Sequence, residues 1–171
     1  MSQIAYLSLG SNLGDREANL RQAISALTSG GLRLVAESSV YETDPVDYPD
    51  QPKFLNQVIA VTAERLEPFA LLKFCLETET ELGRVRAVPR GARTIDIDLL
   101  LFGDQIINDE FDGIELTLPH PRMHLRRFVL QPLAEIAPEL IYPALGQTVE
   151  QLLGSITDDS AVRIHSEDRK P

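Results

Sequence analysis

Two aspartates two residues apart, Asp96 and Asp98, interrupt RTIDIDLLLFG (residues 93–103), a segment that otherwise alternates like a β-strand. On a strand, residues i and i+2 share a face and lie roughly 6.5–7 Å apart along it. Two carboxylates so placed repel each other, and burying them requires a counter-charge. Hard divalent cations such as Mg2+ take carboxylate oxygens together with water and substrate phosphates, so the pair could bridge two such ions. The plain alternative is an edge strand with a solvated polar face. Strict alternation predicts Ile95, Ile97, Leu99 and Leu101 on the buried face, with Leu100 and Phe102 continuing the aspartate face. That face is therefore not simply turned to solvent.

Cations are concentrated nearby although the chain is acidic, with a formal net charge of -10. Seven of its 16 lysine and arginine residues fall in two short stretches, and all seven are arginine. Arg84, Arg86, Arg90 and Arg93 lie in GRVRAVPRGAR, and Arg122, Arg126 and Arg127 in PHPRMHLRRF. The planar guanidinium fork suits phosphate oxygens better than a lysine ammonium does. A local polyanion site is the sharper reading, and a solvated basic surface the plainer one. The overall charge argues against general nucleic-acid or anionic-membrane binding. No GxxxxGK[ST] loop is present, which disfavours a P-loop nucleotide site.

Other candidates carry less weight alone. His120 could bond a phosphate oxygen or simply pack; His124 reads as structural or exposed, and His165 is assigned nothing. The single cysteine, Cys75, excludes an internal disulfide and reads as a core thiol. In DPVDYPDQPKFLN, Phe54 and Asn56 could grip a flat heterocycle by stacking and hydrogen bonding; an ordinary surface loop is the alternative. GSNLGD reads as a strand-to-helix turn.

The elements that must position these groups follow from periodicity. Residues 3–9 alternate as a strand, and Leu20, Ala23, Ile24 and Leu27 give helical spacing that stops at Gly30-Gly31. Strands are expected over LRLVAESSVYET and FLNQVIAVTAE, and a helix from Glu67-Pro68 to Gly83. With the aspartate strand, the order is βαββαβ. That predicts an α+β fold with a ferredoxin-like core, helices packed on an antiparallel sheet. DQIIND and IELTLPH suggest an extra strand pair, RRFVLQPLAEIAPEL a short helix, and QTVEQLLGSI a last one. Residues 1–160 read as one domain and 161–171 as a frayed tail. Neither a signal peptide nor a membrane span is recognisable, so a cytoplasmic location without a membrane partner is expected.

LSLGSNLGD, YETDPVDYPDQPKFLNQV, LGRVRAVPRGARTIDIDLLLFG and LPHPRMHLRRFVLQPLAEIAPEL occur in this order. Together they resemble the 6-hydroxymethyl-7,8-dihydropterin pyrophosphokinase family over roughly residues 3–150. The resemblance implies transfer of the pyrophosphoryl group of ATP to the pterin hydroxymethyl group, releasing AMP, in folate biosynthesis. It implies two Mg2+ on Asp96 and Asp98, with Arg84 and Arg93 as further catalytic groups. ATP contacts would fall on Glu79, Arg84, Arg86, Arg90, Arg93, His120 and Arg126. Pterin contacts would fall on Thr43, Asp44, Val46, Phe54, Asn56 and Phe128, and the chain is expected to act as a monomer. Three departures concern the site, of which one is Leu76, standing where some relatives have a glutamine near the nucleotide. Where relatives often carry Arg-Trp-Gly-Pro-Arg, this chain has the shorter Arg90-Gly91-Ala92-Arg93, and Phe54 replaces a tyrosine while keeping the stacking face.

Overall fold

The computed structural model describes residues 3–45, 49–65, 67–83 and 92–166. Its centre is an antiparallel sheet in the order β10-β3-β4-β1-β5, with β2 also paired to β4. The strands are β1 (Ile4–Ser11), β2 (Arg33–Glu37), β3 (Tyr41–Thr43), β4 (Phe54–Thr62), β5 (Asp96–Phe102) and β10 (Val162–Ile164). Among the described residues two β-hairpins lie outside it, β6 (Ile107–Phe111) with β7 (Ile114–Leu118), and β8 (Ile141–Tyr142) with β9 (Gln147–Thr148).

Helices cover both faces. On one, α1 (Arg16–Ser29) buries Leu20, Ala23 and Leu27, and α2 (Pro68–Glu81) buries Leu71 and Cys75. Both pack on the odd-numbered side chains Leu7, Leu9, Ile59, Ile95 and Ile97. The local signals explain the helix limits. The Asp15 side chain accepts from the Ala18 amide at the start of α1, and Gly31 (φ 110°) turns the chain after it. Proline opens α2, where a missing N–H costs nothing. On the other face α3 (Arg127–Ile136) and α4 (Val149–Ser155) bury Val129, Leu130, Leu133 and Leu152 against Val58, Leu100 and Leu101.

Three expectations needed correction. Strict alternation along β5 fails. Leu99 pairs with Leu7 and Leu101 with Tyr6, so Leu100 is an extra residue, a β-bulge. Leu100 and Leu101 consequently both pack under α3, and Phe102 returns to the face of the isoleucines. The stretch expected as one strand over residues 32–43 is two, β2 and β3. They are separated at Ser38, whose hydroxyl accepts from the Val58 amide and whose carbonyl accepts from Gln57. Finally, the tail is not frayed over its first residues: Val162–Ile164 add a strand beside β3. His165, given no role from sequence, donates its backbone N–H to the Val40 carbonyl and places its ring against Glu17. The remaining tail, 167–171, lies outside the described residues.

Candidate active site

The face shared with α3 is covered only in part, and its open part is a cleft of about 500 Å3. Its floor follows from register. Gly10 of β1 stands opposite Asn56 of β4 on one side and Asp96 of β5 on the other, and Ser8 stands opposite Asp98. These even-numbered residues point away from α1 and α2, so the amide, the glycine and the two carboxylates share one surface. A Cβ at Gly10 would lie 3.0 Å from Asn56 Oδ1 and 4.0 Å from Asp96 Cβ. The glycine therefore lets neighbouring polar groups approach across it.

Asp96 is half-buried, with Arg93 Nη1 at 3.3 Å from its Oδ2. Burial, reinforced by Asp96 and Glu79, pushes the Asp98 carboxyl well above the usual carboxylate range, and Arg126 and Arg93 only partly oppose this. Glu79 is itself 3% exposed and reaches in from α2 beyond the edge of β5. Its Oε1 accepts the Ile97 amide at 2.7 Å, between the two aspartates in sequence. Behind them Cys75 is fully buried, its thiol pushed up to about 12 by burial and by Glu79 and Asp98. It stays protonated and inert, as expected for a core thiol.

Across the cleft lies the segment after β7. The His120 backbone N–H donates to the Leu100 carbonyl, and its ring Nδ1 accepts from the Arg122 amide. A ring that accepts at Nδ1 carries its proton on Nε2 and offers a neutral donor there. Burial, then Arg126 and Arg122, lower its pKa to about 4, against a smaller opposite effect of Asp96. We expect ring proton shifts of His120 in the ligand-free protein to stay flat from pH 8 to 5 and move only near pH 4. A midpoint at the ordinary value of about 6.5 would contradict the neutral-donor reading. By linkage, its contribution to stability is complete above the ordinary histidine range and falls as pH drops towards 4, because the unfolded ring protonates first.

The remaining wall is aromatic and amide. Asn56 is buried and donates to the Thr43 hydroxyl. The Arg93 guanidinium lies 5.4 Å from the Phe54 ring centre, and Arg126 lies 5.4 Å from that of Phe128. Asp44 is exposed at the rim, 3.7 Å from Lys53 Nζ.

Of the residues expected at a site, the cleft brings together Thr43, Asp44, Phe54, Asn56, Glu79, Arg93, Asp96, Asp98, His120, Arg126 and Phe128. Val46, Arg84, Arg86 and Arg90 lie outside the described residues. Arg127 turns away: its backbone amide and Nε both bond Asp158. His124 pairs with the Tyr142 hydroxyl, a structural contact. Sequence reasoning passed over Gly10 and the buried Asn12, because GSNLG is fully accounted for as a turn until its tertiary partners are known. It also passed over Leu116 and Thr117 of β7, which line the cleft beyond β5. Nothing local distinguishes those two from an ordinary hairpin strand.

A carboxylate pair, a neutral imidazole donor, arginines and two aromatic rings gather around one cleft of this α+β protein. Comparison with known proteins makes this specific. Residues 6–138 match the family model for 7,8-dihydro-6-hydroxymethylpterin-pyrophosphokinase (HPPK), and the chain belongs to that family. It is 45% identical over 165 residues to the 2-amino-4-hydroxy-6-hydroxymethyldihydropteridine pyrophosphokinase of Bacillus subtilis, covering 96% of this chain and 91% of that protein. It is 44% identical to the protein of the same name from Methylorubrum extorquens, over 94% of this chain and 98% of that one. The crystal structure of wild-type Plasmodium falciparum HPPK-DHPS has the same fold, with TM-score 0.71 at 16% identity. The match covers 90% of this chain and 44% of that longer one. Among the described residues, no helix is long and apolar enough to cross a membrane.

Proposed function

We propose that the cleft holds the two substrates of the family reaction side by side, the pterin over β3 and β4 and the phosphates of ATP over β5. The chain is an ATP-dependent pyrophosphokinase of folate biosynthesis. It transfers the pyrophosphoryl group of ATP to the hydroxymethyl group of 6-hydroxymethyl-7,8-dihydropterin, giving the pterin diphosphate and AMP. The observation that carries the assignment to this cleft is the row Asn56, Gly10, Asp96 on three adjacent strands. It sets a ring-binding amide roughly 10 Å from a carboxylate pair, at about 4.8 Å per strand.

Phe54 and Phe128 would sandwich the ring, and Asn56, oriented by the Thr43 hydroxyl, would read its polar edge. Asp44, exposed at the rim, lies beside it, and we assign Val46 to the pterin as well. The Nε2–H of His120 would donate to a phosphate oxygen without adding charge. Arg93 and Arg126, with Arg84, Arg86 and Arg90 in our assignment, would steady the charge that grows on the departing AMP.

Asp96 and Asp98 fit a pair of Mg2+ ions. Their oxygens are hard donors, and the crowding of Asp98 by Asp96 and Glu79 leaves a negative excess that a cation relieves. Among the described residues, no group of three or more His, Cys, Asp or Glu side chains could hold a metal by itself. In our reading Asp96 and Asp98 would supply part of a donor set, and phosphate oxygens and water would complete it. Magnesium bound there would neutralise phosphate charge and lower the pKa of the attacking hydroxyl. We also read the core as ferredoxin-like, supported by the antiparallel order β5-β1-β4-β2.

The test is turnover with ATP, Mg2+ and the pterin alcohol, quantifying AMP and the pterin diphosphate. AMP formed only with pterin supports the reading; phosphate release without pterin would point to a hydrolase. Gly10→Ala should push Asn56 from its place and raise the pterin KM about tenfold, the scale of one disturbed hydrogen bond. An unchanged pterin KM would remove Asn56 from the ring site.

A further inference from the structure

The turn after β1 contains a side chain that the reaction described above does not use. Asn12 is 2% exposed, and its amide is fully engaged with segments far away in sequence. Its Oδ1 accepts the Arg93 backbone N–H at 2.8 Å, and its own backbone N–H donates to the Arg93 carbonyl at 3.1 Å. Its Nδ2 donates to Gln51 Oε1 at 2.9 Å and to the Pro52 carbonyl at 3.0 Å. Both Nδ2 hydrogens are used, so the group has a defined orientation. Arg93 leads into β5, with its guanidinium beside Asp96 and over Phe54; Gln51 and Pro52 precede Phe54 on the opposite wall.

We propose that Asn12 is a positioning residue that joins the two walls of the cleft. Its carbonyl oxygen sets the backbone of Arg93, and its amide nitrogen sets the Gln51–Pro52 segment on the pterin side. The inference rests on the reading of this cleft as the active site. The two halves of the amide serve different substrates and can be separated chemically. Asn12→Ala removes both side-chain links and leaves only the backbone bond to the Arg93 carbonyl. Asn12→Asp keeps an acceptor for the Arg93 amide but turns an acceptor towards the Pro52 carbonyl, so that bond is lost, and Gln51 can meet the carboxylate only by turning its own amide away from its present orientation.

The full-length wild type and both variants are compared by steady-state kinetics, thermal melting and backbone amide exchange. Asn12→Ala should lower kcat about tenfold and raise the pterin KM about tenfold, one buried hydrogen bond's worth on each side. Asn12→Asp should raise the pterin KM as far while holding kcat within about threefold of wild type. Exchange protection of the Arg93 amide should be lost in Asn12→Ala and kept in Asn12→Asp. A purely structural asparagine would instead lower every parameter together, in step with the melting temperature, and that result overturns the proposal. So does an Asn12→Ala protein within about twofold of wild type on both constants. Should Asn12→Ala not fold, Asn12→Asp decides alone: a raised pterin KM with near-normal kcat supports the proposal, and an unchanged KM defeats it. A wild-type chain that makes no AMP sinks the reading of the cleft and this inference with it. Normal wild-type turnover with unsplit variants sinks the inference only.

Discussion

Asp98→Asn yields a folded protein that turns over at least about 10^3-fold more slowly, an expected loss of roughly 4 kcal/mol in transition-state stabilisation. Asparagine keeps the shape and removes the charge that the proposed metal pair requires. The same substitution should stabilise the ligand-free protein at neutral pH. Burial, Asp96 and Glu79 hold the Asp98 carboxyl above its ordinary range, so the folded state keeps a proton that the unfolded chain has already released. Stability therefore falls as pH rises from the ordinary carboxylate range towards neutrality, and asparagine abolishes that fall. A higher melting temperature at pH 7 combined with lost turnover is a pair of opposite signs that general damage cannot produce. Asp96→Asn should lose turnover similarly. Activity near wild type in either variant would rule out the metal assignment.

The second large effect is expected at Glu79. Glu79→Ala leaves the Ile97 amide without the acceptor it has at 2.7 Å. An unmade buried hydrogen bond costs about 1–3 kcal/mol, which is about 2–12 °C in melting temperature for a chain of this size. Ile97 lies between the two aspartates, so the loss reaches both through the strand backbone. We expect kcat/KM for ATP to fall about 10^2-fold, roughly 2.7 kcal/mol. Glu79→Gln preserves an acceptor for Ile97 and should melt near wild type, which separates the charge of Glu79 from its grip on the strand. If both variants keep wild-type ATP kinetics, Glu79 is only a structural staple.

Much of the scaffold was legible because its signals are local. Asp15, Pro68 and the Gly30-Gly31 pair mark helix ends through their own backbone preferences, and Asp96 and Asp98 declare themselves by breaking an apolar pattern. What escaped depends on partners distant in sequence. The β5 bulge exists only in relation to β1, and no residue type in DLLLF announces it. The strand at Val162–Ile164 is three residues long and becomes recognisable only beside β3. Asn12 looked like one more turn residue because its four bonds reach 39 to 81 positions along the chain. At the cleft itself, residue types pointed to the chemistry, but only strand register shows that Asn56, Gly10 and Asp96 form one row.

The bulge in β5 also acts at a distance from the sheet. The carbonyl of Leu100, the extra residue, is the one that receives the His120 amide. The imidazole is thus indexed to an irregularity in strand pairing rather than to a helix or a loop of its own. Changes in side-chain size at Leu100 alter the packing beneath α3, whereas changes in strand length would move the histidine's anchor itself. An insertion or deletion in this strand would therefore move the imidazole together with the sheet.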